Sequence, residues 1–396
     1  MSYTEILCWR SYAGMPHTLT LLSPLAKRGG NYCTIKRIRN HLKSHGYECQ
    51  LEDPKLFKSR HEMDDILSRD SMGVLIGIHA YRTGAYMKDS NLPYIVILGG
   101  TDINEFSKDP EAMTVMTEVV MKAKFVVCFS TTIRSKALSL WPNVCHARLV
   151  LIPQAVHTSM SSFNLITYLS SRPEVGCLQS SSQQKPVIFV FIGGIRPVKN
   201  PIYLVSTFQE WHARDKRIIL LIVGPKLDEQ YCTKVFEPAI SKHPGIVYIP
   251  GLPMEDTHAV MSQSFALVNS SDSEGMCLAI LEAMQIGIPV FARNIPGNRA
   301  IIEDNVTGFL FDSPQTFLQK AESIVENVDR SLNVTKQAKE YILQHHNLES
   351  ERKAYTDLLE QCITEIEADN TEIPKLAMSV TINEEYLATH TITQDS

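Results

Sequence analysis

Short, uninterrupted apolar runs alternate with amphipathic stretches along this chain, and the alternation occurs in two blocks. In the first block the runs are Thr18 to Leu22, Gly73 to Ile78, Tyr94 to Leu98, Phe125 to Phe129 and Arg148 to Ile152. In the second they are Val187 to Ile192, Ile218 to Val223, Ile246 to Ile249, Phe265 to Val268 and Ile288 to Phe291. They lack the polar–apolar alternation of a half-exposed strand, so they read as strands buried on both faces of a parallel sheet. Between the first two runs Ile35, Ile38 and Leu42 recur at helical spacing, and the helix stops at His45-Gly46, with Gly46 suited to a left-handed cap. Strand–helix alternation in two blocks predicts an α/β protein with two doubly wound, Rossmann-like domains.

The same pattern sets the expected boundaries. Residues 1–16 read as an extension, 17–165 as the first domain and 166–185 as a loop or linker, rich in Ser and Gln near Ser180 to Gln184. Residues 186–330 form the second domain and 331–367 a helical region. The polar tail 368–396 offers too little apolar area to offset the entropy of ordering and is expected to be disordered.

Composition acts mainly by exclusion. The 396 residues suffice for two domains, and 44% hydrophobic with 20% charged residues suits a globular protein. A net charge of −5 argues against non-specific nucleic-acid binding. The nine cysteines contain no C-x-x-C pair and several sit in apolar runs, so they read as buried thiols. The 13 histidines show no metal-ligand spacing, and no metal or other cofactor is expected. The start of the chain lacks the apolar core of a signal peptide, and no run approaches the roughly 18 apolar residues of a membrane span, so the expected compartment is the cytoplasm.

Candidate chemistry gathers at strand ends, where doubly wound sheets bind ligands. Ser271 to Val290 reads S-D-S-E-G-M-C-L-A-I-L-E-A-M-Q-I-G-I-P-V, with a helix expected to start near Gly275 or Met276. Free N–H groups at such a start suit a phosphate. Glu274 lies in that mouth, and Glu282 lies eight residues on, where a carboxylate can accept from two neighbouring hydroxyls. A carboxylate near a phosphate and another near a diol fit a sugar nucleotide; two solvated helix positions are the alternative. In Val187 to Pro201, Gly193-Gly194 end a strand, Asn200 reads as a helix N-cap and Pro201 as the first helical residue. Arg196 and Lys199 then sit at the positive end of a helix, where a diphosphate would relieve their repulsion; a solvated basic loop is the alternative.

The pattern S-x-x-E-G-x-x-L-x-x-x-E-A-M-x-x-G-x-P-V resembles the donor-binding signature of the group 1 glycosyltransferases, family 4 of the sequence classification, and especially the animal glycosyltransferase 1 domain-containing proteins. The likeness extends over most of residues 17–345. It implies a GT-B fold with two Rossmann-like domains facing across a cleft, and a retaining transfer of sugar from a nucleotide-sugar donor. Glu274 would contact the donor sugar, Glu282 the ribose, and Lys199 with Arg196 the diphosphate. Gly275 and Met276 fall within the same donor signature, and Gly251 in Pro250 to Pro253 occupies the place where relatives hold the base through backbone groups. Gly30 of Gly29-Gly30 matches the family's glycine loop, with an ordinary turn as the alternative, and His79 matches a strand-end histidine near the sugar, with a structural role as the alternative. Gly194 stands where the family commonly has Arg, Gly99 replaces the His of an H-G-[ST]-D element, and Gln154-Ala155 replace Asn-Gly. These departures leave open a noncatalytic nucleotide-sugar-binding protein; a GT-B epimerase or phosphorylase is a third reading. The D-x-D metal motif is absent from the sequence. Donor sugar, base, acceptor and oligomeric state stay unassigned.

Overall fold

The computed structural model of the protein describes residues 18–25, 29–57, 73–172, 185–241 and 243–364. The extension 1–16, the Ser- and Gln-rich linker segment and the tail 368–396 lie outside the described residues.

The first block contains β1 (Thr18–Leu22), α1 (Gly30–Ser44), β2 (Glu48–Glu52), β3 (Val74–Ile78), β4 (Tyr94–Ile97), α2 (Gly100–Asn104), α3 (Pro110–Lys122), β5 (Phe125–Cys128), α4 (Thr131–Leu140) and β6 (Leu149–Leu151). Its sheet is parallel, in the order β2-β1-β3-β4-β5-β6. The second contains β7 (Val187–Ile192), α5 (Val205–Arg214), β8 (Ile218–Val223), β9 (Ile246–Ile249), α6 (Met254–Ser262), β10 (Ala266–Asn269), α7 (Leu278–Ile286), β11 (Val290–Arg293), β12 (Phe309–Phe311), α8 (Pro314–Glu326) and α9 (Val328–His345). Its parallel sheet runs β12-β11-β10-β7-β8-β9. A last helix, α10 (348–364), follows.

The strand pattern explains the layers. In β7, Ile188 and Val190 face one apolar core and Phe189 and Phe191 the other, as the two-residue period of a strand requires. Phe189 packs against Phe208, Trp211 and Phe317 with ring centroids 5.3, 5.4 and 6.0 Å apart. α1 ends as its sequence indicates, with Gly46 at φ 95°. β10 and β11 begin one and two residues later than the apolar runs suggest, and β2 and β12 add strands outside those runs.

In each sheet the chain reverses its direction of strand addition at one place: between β1 and β3 in the first, between β7 and β10 in the second. Such switch points open a crevice at the carboxyl ends of the strands. His79 follows β3, Lys199 lies on the segment after β7, and Glu274 lies on the loop after β10.

α10 returns to the first sheet, where Tyr355, Leu358, Leu359 and Cys362 join its core. The two crossings between the blocks are clasped together. Val156 N donates to His346 O at 3.0 Å, His346 Nδ1 to Gln154 O at 2.6 Å, and Ala155 N to Glu351 Oε1 at 3.0 Å. Glu351 also receives Arg37 Nε at 2.7 Å and lies 2.9 Å from His41 Nε2, while Gln154 Oε1 accepts from Thr34 Oγ1 at 2.7 Å. Burial opposes the Glu351 charge, yet the hydrogen bond with His41, the Arg37 guanidinium and the Ala155 N–H outweigh it and hold its pKa at about 2. Gln154 and Ala155, which depart from the family pattern, belong to this clasp.

Candidate active site

Two loops meet at the switch point of the second sheet. One follows β7 through a 3-10 turn at Pro197–Lys199; the other follows β10. They are stitched by Asp272 N donating to Val198 O at 2.9 Å, Ser270 Oγ donating to Asn200 O at 2.8 Å and Asn200 Nδ2 donating to Asp272 Oδ1 at 3.2 Å. This fixes Lys199 Nζ 2.6 and 2.7 Å from the two oxygens of Glu274. Glu274 further accepts from Ser271 Oγ at 2.7 Å and Asn269 Nδ2 at 3.1 Å, and Asn298 Nδ2 holds Asn269 Oδ1 at 3.0 Å. The Glu274 side chain is 6% exposed and that of Lys199 19%. Burial disfavours the carboxylate, but Lys199 and the two neutral donors overcome it, and the Glu274 pKa lies below its ordinary value.

Two local expectations are corrected. Asn200 is left-handed at φ 43° and closes the 3-10 turn, so it is no N-cap; Pro201 lies in a turn, and α5 starts only at Val205. Lys199 and Arg196 are therefore not at the first turn of that helix. α7 starts at Leu278 with Cys277 as its cap, leaving Gly275 and Met276 in the loop.

The first block supplies the opposite wall. Asp102, fully buried, accepts from Gly99 N, Ala80 N and Ile103 N at 2.9, 3.0 and 2.9 Å, which fixes the turn into α2. That turn presses glycine on glycine: a Cβ on Gly100 would lie 2.4 Å from Gly275 N, and a Cβ on Gly275 would lie 2.5 Å from Gly100 Cα. Next to this contact Lys136 Nζ donates to Asn104 Oδ1 at 2.7 Å, and Asn104 Nδ2 to Glu274 O at 3.2 Å. The two walls enclose a cleft of about 1010 Å³, lined by Arg82, Asn104 and Lys136 on one side and by Arg196, Glu274 and Gly275 on the other.

His79 lies behind that wall. It is fully buried, left-handed at φ 81°, and packed edge-on against Phe106 at 5.2 Å. Its Nδ1 accepts from Arg82 N at 3.3 Å, which places the ring proton on Nε2, and Nε2 has no partner among the described residues. Burial lowers its pKa, with Arg82 and Arg196 acting against Asp102, so the ring is neutral.

Glu282 forms a second group. It lies 3.6 Å from His258 Nε2, an ion-pair contact too long for a hydrogen bond. Burial opposes the His258 charge, but Glu282 and the Ser159 carbonyl prevail and raise its pKa. Burial pushes the Cys33 thiol of α1 up to about 11, with the negative field of Glu282 adding to it. Gly30 opens that helix with free space around it. Met276 packs against the cores of both blocks, and Gly251 turns the chain after β9 at φ 100°. Thus Arg196, Glu274 and Gly275 share the cleft and Lys199 joins through Glu274; Glu282 meets His258 away from it, and Gly30, Gly251, Met276 and His79 do not line the cleft. Sequence reasoning gave Ser271 no role although it opens the motif, and missed Asn269 and Asn298 behind Glu274 and Arg82, Asn104 and Lys136 opposite it.

Two facing Rossmann-like sheets with polar loops at both switch points define the GT-B architecture. The fold is shared with Anabaena Alr3699/HepE, solved in complex with UDP-glucose (TM-score 0.71, 13% identity, covering 87% of this chain and 99% of that one), and with sucrose-phosphate synthase from Thermosynechococcus elongatus (TM-score 0.71, 14% identity, 88% and 100%). The family model for glycosyl transferases group 1 matches residues 179–341. Glycosyltransferase 1 domain-containing protein 1 of Xenopus tropicalis is 36% identical over 342 residues, covering 86% of this chain and 97% of that protein. The chain belongs to the group 1 glycosyltransferases and is a glycosyl-transfer enzyme.

Among the described residues no helix is long and apolar enough to cross a membrane, and no three His, Cys, Asp or Glu side chains are grouped to hold a metal ion.

Proposed function

We propose that the protein moves a sugar from a nucleoside-diphosphate sugar to an acceptor on the first-block wall, retaining anomeric configuration and using no divalent metal. Residues 186–330 hold the donor in this reading and 17–165 the acceptor. The observation that carries it is the buried Lys199–Glu274 pair at the switch point, 2.6 Å apart. A cation held there by a carboxylate can turn to the diphosphate as the donor enters. The released Glu274 oxygens then accept hydroxyls of the donor sugar, still oriented by Ser271 and Asn269.

Arg196, whose Nε is buried without a partner among the described residues, joins Lys199 on the phosphates. Negative charge grows on the diphosphate as the glycosidic bond breaks, so preplaced cations lower the barrier. Glu282, 3.6 Å from His258 Nε2, accepts the ribose hydroxyls. Gly251 and its neighbours offer backbone groups to the base, while Gly275 borders the donor sugar and Met276 backs that loop from the cores. His79 orders the acceptor wall behind Arg82. Attack comes from the face the diphosphate leaves, so Glu274 forms no covalent bond to the sugar.

The test is a panel of nucleotide sugars, UDP-glucose included, read by thermal shift and by nucleoside diphosphate release in excess EDTA. Expected are a rise in Tm with a subset of donors and release that persists in EDTA. No rise with any donor would overturn the reading, and activity lost in EDTA and restored by manganese would overturn its metal-free part.

A further inference from the structure

Glu274 is held twice. Its carboxylate is held from its own wall, by Lys199, Ser271 and Asn269. Its main chain is held from the other wall: Asn104, the last residue of α2, donates from Nδ2 to Glu274 O at 3.2 Å. Lys136 of α4 in turn donates from Nζ to Asn104 Oδ1 at 2.7 Å. The same Glu274 carbonyl is crowded by Gly297, where a Cβ would lie 2.2 Å from Glu274 O and 3.0 Å from Glu274 Cβ. Little room is left for that carbonyl to move.

The two ends of this bridge select an amide. An ammonium only donates and a carbonyl only accepts, so a side chain joining them must accept at one atom and donate from the next. Asparagine does both, and its partners fix which way round the amide sits. A carboxylate of the same size would keep the lysine and meet the carbonyl with a second acceptor. A cation on the amide oxygen also polarises the group, which strengthens its N–H as a donor. The bridge needs the walls together: Asn104 shares its short helix with Gly100, Glu274 precedes Gly275, and those two glycines are in contact across the cleft.

We propose that Asn104 is a positioning residue for glycosyl transfer. Bridging Lys136 to the Glu274 carbonyl, it keeps the glutamate aimed once Lys199 has turned to the diphosphate, and it makes that aim conditional on closure of the cleft. The role rests on the glycosyl-transfer reading and deepens it. In that reading the groups that bind the nucleotide come from the second block, so losing the bridge spares donor affinity. Turnover does not escape, because a shift of about 1 Å in a reacting group costs on the order of 10²-fold in rate.

The test uses the full-length protein as wild type, Asn104→Ala, Asn104→Asp, Lys136→Met and Lys136→Arg. Amide exchange by mass spectrometry is read without ligand, UDP affinity by calorimetry, and kcat by nucleoside diphosphate release from whichever nucleotide sugar wild type turns over, UDP-glucose first. Both Asn104 variants are expected to exchange about 3–10-fold faster over residues 269–275, on the wall opposite the substitution, as befits one lost hydrogen bond. Their kcat is expected to fall about tenfold or more with the UDP Kd unchanged. Asn104→Asp keeps the size and the lysine partner, so its loss reports the missing donor rather than a folding defect. Lys136→Arg is expected to stay near wild type, and Lys136→Met to lie between. Wild-type exchange or wild-type kcat in Asn104→Asp overturns the proposal, as does exchange that rises only over residues 99–105 or a UDP Kd that weakens in step with kcat. A wild type that releases nucleotide from no nucleotide sugar sinks the transfer reading and this role with it, a failure the ligand-free exchange data tell apart from loss of the bridge.

Discussion

Lys199→Ala tests the centre of the site, and its effect on stability follows from the geometry. The substitution removes a cation 2.6 Å from a carboxylate only 6% exposed, leaving Ser271 and Asn269 as its remaining side-chain donors. Breaking a buried pair from one side costs about 3–5 kcal/mol; the lower end applies here because water can replace the half-sheltered ammonium. Turnover is expected to fall about 10²–10³-fold, the usual loss for one preplaced electrostatic contact. The single variant therefore loses both stability and activity. Lys199→Ala/Glu274→Gln separates the two, because a neutral amide in the same place carries no uncompensated charge: most of the lost Tm returns while turnover stays low. The sign with pH is also fixed. Wild-type Glu274 has a lowered pKa, so its contribution is present above the ordinary carboxylate value and fades as pH falls through the folded one. In Lys199→Ala the carboxyl becomes easier to protonate, and the deficit against wild type is expected to shrink in acid. Tm from pH 4 to 8 and nucleoside diphosphate release at saturating donor measure these quantities. A double variant as unstable as the single one, or wild-type turnover in folded Lys199→Ala, would refute the reasoning.

Glu282→Gln is expected to weaken nucleotide-sugar binding by roughly tenfold to a hundredfold, the worth of one charged hydrogen-bond acceptor; calorimetry showing equal affinity removes the ribose role. Gly100→Ala brings a Cβ to 2.4 Å from Gly275 N. It should separate the two walls, raising the radius of gyration in solution scattering and lowering turnover with unchanged circular dichroism; unchanged scattering and rate would count against the close approach. Glu351, with its pKa near 2, stabilises the protein above the ordinary carboxylate value near 4.5, and about 3 kcal/mol of that is lost as pH falls from there towards 2. Glu351→Gln should flatten this acid limb of a denaturation series, and an unaltered limb would place the acid sensitivity elsewhere.

Fully buried strands were the most legible part of the sequence. β7, β8 and β9 coincide with their apolar runs because both faces of each are covered. β2, reading E-C-Q-L-E, escaped because it is an edge strand that alternates, and β12 because three residues carry little pattern. Asn200-Pro201 carried two signals, a helix start and a turn, and the left-handed Asn200 settles on the turn. Of the site, Glu274 and Lys199 stood in motifs that local chemistry could read. The Gly100–Gly275 contact and the sharing of one cleft by Arg82 and Arg196 depend on how residues far apart in sequence meet, and nothing in either local segment signals its partner. Gln154 shows the same limit: as a departure from a motif it looked like decay, whereas in space it holds Thr34 and shares the clasp with His346.

The return of α10 to the first sheet has a consequence for how the protein is made. Tyr355, Leu358, Leu359 and Cys362 complete a core whose strands end at Leu151. On a ribosome they emerge about 200 residues later, on the order of 10–40 s at ordinary elongation rates. During that interval the apolar surface they cover stands open, and Arg37 and His41 await Glu351. The second sheet, whose strands run from Val187 to Phe311, has all its partners sooner. The block synthesised first is therefore expected to be the last to close, and the nascent chain is at its most chaperone-dependent just before residue 348 appears.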